Sequence, residues 1–137
     1  MIVIIDTNLW ISFLIGKKLS VMRKLFTNPE IKIYACNELL DEFADVSLRL
    51  KIRKYITDDD VEATYKLMDR YCTFASIDKK AVSFVRDKKD LYLLSFAETV
   101  SADYILTGDK DLLTLASHQQ TKIVTYKEFS SIIELQK

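Results

Sequence analysis

Short, uninterrupted apolar runs alternate along this chain with longer segments whose apolar residues recur at helical intervals. Ile2-Val3-Ile4-Ile5 is the clearest run, and further strand candidates, each with a polar residue among the apolar ones, occupy 31–35, 73–77, 103–106 and 122–125. Four or five such residues bounded by polar ones predict a strand buried on both faces. Helical spacing covers 8–15, 19–27, 37–50, 58–72, 91–101, 109–116 and 126–135. The alternation predicts an α/β architecture, a parallel sheet with helices on both faces. Thr57 before Asp58-Asp59-Asp60 caps one helix and sets negative charge at its positive end, and Asn37 is placed to start another. Gly16 is expected to close the first helix and Asn28-Pro29 the second. Gly108, one of two glycines, predicts a positive φ or a close backbone approach before Asp109.

Composition narrows the class. The 137 residues suit one domain, 1–137, and a content of 49% hydrophobic and 11% aromatic residues implies an ordered core. Twenty acids balance twenty bases, so net charge makes no case for a general polyanion binder. The bases do cluster at Arg49, Lys51, Arg53 and Lys54, and on a smaller scale at Lys79-Lys80 and Lys88-Lys89. A solvated helix end is the plain reading of the first cluster. The chain runs from Met1 into a core strand with no leader and no apolar run of spanning length, so a cytoplasmic, non-membrane protein is expected. Cys36 and Cys72 lack metal-ligand spacing and are expected to be buried free thiols. A lone His118 and no GxSxG setting disfavour Ser-His or Cys-His hydrolysis.

The chemistry concentrates in acids at strand ends. The first run stops at Asp6-Thr7-Asn8, and Tyr104-Ile105-Leu106 stops at Thr107-Gly108-Asp109-Lys110-Asp111. Open α/β sheets place their sites beyond the carboxyl ends of such strands. Asp6 follows a fully apolar strand, where a charge is rarely left unpaired, although it could instead cap the next helix. On the helix at 37–50 the apolar stripe is Leu39, Phe43, Val46 and Leu50. At roughly 100° per residue Glu42 falls on the flank of that stripe, Glu38 is the runner-up, and Asp41 lies nearly opposite. Asp90 precedes a segment apolar on nearly all sides and should be held rigidly at its start; an ordinary cap is the alternative. The Asp58–Asp60 triplet is better read as helix-start chemistry than as a metal site. Asp103, ahead of its strand, serves the turn, and Trp10 is read as core rather than as a stacking platform. Two unit charges 4 Å apart repel by about 4 kcal/mol at an effective dielectric of 20, so four clustered carboxylates require a cation. Oxygen donors without His or Cys favour Mg²⁺ or Mn²⁺.

The stretches Ile-Ile-Asp6-Thr7-Asn8, Glu-Leu-Leu-Asp-Glu42-Phe, Asp87-Lys-Lys-Asp90-Leu-Tyr-Leu-Leu and Ala102-Asp-Tyr-Ile-Leu-Thr107-Gly108-Asp109-Lys110-Asp111-Leu-Leu resemble those of the PIN-domain nucleases. Their order and spacing span most of the chain. Within the family the chain looks most like the VapC-like toxins of bacterial type II toxin–antitoxin pairs. The resemblance implies a five-stranded parallel sheet in the order 3-2-1-4-5 with acids along its carboxyl edge. It maps Asp6, Glu42, Asp90 and Asp109 onto catalytic, metal-binding positions, with Asp111 auxiliary and Thr7, Asn8 and Thr107 in support. It further implies Mg²⁺- or Mn²⁺-dependent cleavage of single-stranded or loop RNA, a homodimer, and a small protein antitoxin. Two departures stand out: Lys88 replaces a common proline, and Val46-Ser-Leu-Arg49 replaces a usual Val-Leu-x-Arg. They leave open whether Asp87 or Asp90 is the third acid. Rival readings are a HAD-like phosphatase, which wants an aspartate where Asn8 stands, and a PIN domain that binds RNA or a partner without catalysis. Lys110 and the cluster at 49–54 are candidate phosphate contacts.

Overall fold

The computed structural model describes residues 1–78 and 88–135, except for the side chains of residues 88–90 and 135. Six strands form one sheet: β1 (Ile2–Ile5), β2 (Lys32–Ala35), β3 (Cys72–Phe74), β4 (Tyr104–Leu106), β5 (Ser117–His118) and β6 (Thr121–Val124). Their order is β3-β2-β1-β4-β6-β5. All neighbouring pairs are parallel except β5 with β6. The expected strands thus occur in the expected order, with β6 as the fifth. The two-residue β5 adds an antiparallel edge that its polar sequence did not announce.

The register places the site. Ile5 pairs with Leu106, so the next residues, Asp6 and Thr107, leave the two central strands side by side. Asp6 N–H donates to Leu106 O at 2.9 Å and Thr107 N–H to Val124 O at 3.0 Å, which holds both turns against the sheet. Val3, Ile4, Ile5, Ile105 and Leu106 are buried because β1 and β4 are covered on both faces.

Helices α1 (Thr7–Ile15), α2 (Leu19–Phe26), α3 (Asn37–Ser47), α4 (Leu50–Arg53), α5 (Asp58–Tyr71), α6 (Lys88–Val100), α7 (Lys110–Leu115) and α8 (Tyr126–Leu135) flank the sheet. Trp10 stacks on Phe26 and Phe26 on Tyr71, at 5.5 and 5.3 Å between ring centres, which ties α1, α2 and α5 together. Trp10 is buried, a core residue as expected. Leu93, Leu94, Ser95, Phe96 and Ala97 are all buried, which accounts for the absence of a polar face at the centre of α6. Thr57 and Asp60 form the capping box that begins α5. Asp103 Oδ2 accepts from Ile2 N–H at 2.7 Å and so serves the turn beside β1.

Three local expectations are corrected. The helix expected over 37–50 ends at Ser47, whose hydroxyl bonds back to Ala44 O at 3.0 Å. Such back-bonding favours helix termination. Arg49 then turns extended and α4 starts anew, which leaves Leu50 86% exposed; only Leu39, Phe43 and Val46 keep the expected stripe. Asn37 is the first residue of α3 rather than its cap, a position held by Cys36. Neither glycine has a positive φ, and a Cβ built on Gly108 would meet nothing within 4 Å, so Gly108 answers neither a strained backbone nor a close approach.

Candidate active site

Asp6 is the centre of the site. It occupies the cap position of α1 but makes no side-chain cap bond, although the backbone amide of Thr7, the first residue of that helix, helps to hold its charge. It is 3% exposed. Burial pushes its pKa up to about 6; the hydrogen bond from Thr107 opposes that rise, and the charges of Glu42 and Asp109 add to it. Those two charges show that acids far apart in sequence act on one carboxylate.

Thr107 couples two of them. Its hydroxyl donates to Asp6 Oδ2 at 2.7 Å and accepts from Asp109 N–H at 3.0 Å. A hydroxyl has one proton, so the bond from Asp109 leaves that proton committed to Asp6. Asp109 begins α7, where its Oδ1 accepts from Asp111 N–H at 2.8 Å and from Leu112 N–H at 3.3 Å. Its Oδ2 takes no part in that cap. Asp111 is exposed on the first turn of the same short helix.

Glu42 is half-buried on α3, whereas Glu38 and Asp41 are exposed. Tyr92, on α6, donates to Glu42 Oε1 at 3.4 Å. Burial drives the Tyr92 phenol far above its ordinary value, with the Glu42 and Asp6 charges adding and the Thr7 hydroxyl opposing. Tyr92 therefore remains a neutral donor among acids. In the sequence Tyr92 sits in a run that reads as core, and its position two residues beyond Asp90 is the one local signal of this contact. Thr7 is buried beneath the site, and its hydroxyl lies 3.5 Å from Leu39 O. Asn8 is exposed at the mouth, beside Leu9, Ser12, Gly108 and Asp109, around a cavity of about 170 Å³.

Asp90 lies in the first turn of α6, but its side chain is outside the described residues, as is the whole of Asp87 with Lys79 and Lys80. Among the described residues no three His, Cys, Asp or Glu side chains are drawn together closely enough to hold an ion. The donor chemistry nonetheless fits Mg²⁺ or Mn²⁺. Every acid here offers oxygen only, and the central one is an anion that burial, and the charges of Glu42 and Asp109, destabilise.

Other polar groups lie elsewhere. Cys36 and Cys72 are free, with thiols pushed up by burial to about 11 and 12, which makes them poor nucleophiles. His118 Nε2 stands 3.7 Å from Glu98 Oε1 near the amino ends of β4 and β6, the sheet edge opposite Asp6. In the basic cluster Arg49 pairs with Asp45 at 3.2 Å and Arg53 with Asp58 at 2.6 Å, while Lys51 and Lys54 are exposed. Lys110 is exposed next to Asp109. Among the described residues no helix is long and apolar enough to cross a membrane.

Comparisons with known proteins bear on the family and the fold. Residues 2–111 match the PIN domain family (PIN_3). No curated protein matches the chain significantly. Among solved structures, a chain of VapBC2 from Rickettsia felis, in complex with a DNA fragment from their promoter, superposes with a TM-score of 0.59 at 15% identity. The match covers 92% of this chain and 99% of that one, and it is a likeness of fold.

Proposed function

This chain belongs to the PIN domain family, and from that premise we propose that it is a divalent-metal-dependent ribonuclease acting on single-stranded or loop RNA. The observation that carries the reading is Asp6: a carboxylate buried where the two central strands end, with no side-chain cap bond and acted on by two other acids. An anion so placed is stabilised by a cation, and an all-oxygen set suits Mg²⁺ or Mn²⁺. Asp6, Glu42, Asp90 and Asp109 would hold it, with Asp111 auxiliary and Thr7, Asn8 and Thr107 in support. When bound, the ion supplies charge neutralisation and Lewis acidity toward a phosphodiester.

The chain's own residues prepare that site. Thr107 fixes the rotamer of Asp6 and the backbone of Asp109 through one hydroxyl. Tyr92 orients Glu42 from a separate helix and adds no charge. Lys110, Lys51 and Lys54 are free to attract phosphates whatever the base sequence. In this reading residues 1–137 act as one cytoplasmic domain, a homodimer restrained by a small protein antitoxin. The fold likeness to a chain of the VapBC2 complex supports that setting.

The test compares wild type with Asp6→Asn on a panel of RNAs in Mn²⁺, Mg²⁺ or EDTA. The wild type should cleave only with metal. The variant should lose about a hundredfold or more, on the scale of removing one stabiliser of transition-state charge. Cleavage that survives EDTA or the substitution would sink the proposal.

A further inference from the structure

Gly108 has no local reason to be glycine. Its φ is not positive, and an added Cβ would enter open space. Among the described residues positive φ falls at Lys17, Ser101, Ala116 and Gln119, none of them glycine. Gly108 instead forms part of the wall of the 170 Å³ cavity that adjoins Asp109, across from Asn8, Leu9 and Ser12 of α1. Asn8 and Ser12 are one helical turn apart, so their side chains share a face. An amide, a hydroxyl and the flank of a leucine together offer donors, acceptors and an apolar edge.

We propose that this cavity is a subsite for one unpaired nucleobase of the RNA strand, next to the phosphate at the acids, and that Gly108 keeps it open. The inference rests on the ribonuclease reading and names the feature of the substrate that the site reads. Size favours a single base: pockets for drug-sized ligands run from about 300 Å³ upward, and this one is smaller. Its mixed lining suits a base, whose edge is polar and whose faces are not, better than a phosphate, since it presents no lysine or arginine. A paired base could not enter, which restricts the substrate to unpaired segments.

The experiment uses Gly108→Ala, Gly108→Val and Asn8→Ala in the full chain, with homo-oligoribonucleotides of A, C, G and U as probes. Fluorescence anisotropy in Ca²⁺ reads RNA binding, cleavage in Mn²⁺ reads KM and kcat, and Mn²⁺ paramagnetic resonance reads metal binding. Thermal melting and Mn²⁺ affinity should match wild type in both Gly108 variants. For Gly108→Val, RNA affinity should fall and KM rise about tenfold with kcat nearly unchanged, the pattern of lost uniform binding; Gly108→Ala should show less. Asn8→Ala should flatten the preference among the four oligomers. Wild-type affinity and KM in Gly108→Val would overturn the subsite while cleavage by the wild type kept the nuclease reading. A loss of melting temperature or Mn²⁺ affinity in Gly108→Ala would also overturn it, by making the glycine structural. If the wild type binds RNA without cleaving it and Gly108→Val weakens that binding, the subsite stands and the nuclease reading falls. Neither binding nor cleavage by the wild type would overturn both.

Discussion

Asp6 shows how one residue links stability to function. The folded chain holds its proton more tightly than the unfolded chain does, because the carboxylate ordinarily titrates near 3.8 and here near 6. Between those values the folded state binds more protons, so stability falls as pH rises through the window. Above about pH 6 the whole penalty is in force, on the order of 3 kcal/mol. Urea melts in EDTA at pH 4.5 and pH 7 should therefore show a steeper loss in the wild type than in Asp6→Asn. Equal slopes in the two proteins would remove burial of this charge as the cause. Asp6 and Thr107 were both legible in the sequence, as the polar residues on which apolar runs end. Tyr92 was not, because nothing local distinguishes a tyrosine that faces an acid across fifty residues from one that faces the core.

At the scale of elements, capping chemistry was readable and helix continuity was not. Thr57 and Asp60 satisfy each other's backbone within a single turn, so four residues of sequence carry the information. Thr57→Ala should cost about 1 kcal/mol in a denaturant melt without altering RNA cleavage, since α5 contributes none of the site acids. An effect on cleavage larger than that on stability would mean that α5 helps to place α3. The end of α3 at Ser47 escaped because the apolar pattern continues through Leu50. A hydroxyl that bonds back to Ala44 and an extended Arg49 broke the helix, and periodicity does not register either. The flank position of Glu42 survived because it depends only on Leu39, Phe43 and Val46, which lie before the break.

For the whole molecule, one apolar cluster among the described residues runs from Val3 to Phe129 and joins both central strands to the flanking helices. If the 137 residues act as one domain around that cluster, they should unfold in a single cooperative transition. Near- and far-ultraviolet circular dichroism should give coincident thermal curves; two separated transitions would divide the chain. The sequence by itself determined the strand and helix alternation, the apolar cores of β1 and β4, and the acids at their carboxyl ends. These follow from local periodicity and from the rule that a buried strand ends where polarity begins. Tertiary structure alone decided that Asp6 feels both Glu42 and Asp109, that Thr107 bridges two acids, and that Tyr92 meets Glu42. The Thr107–Asp6 bond alone joins residues 101 positions apart, and only strand register and helix packing bring such residues within reach.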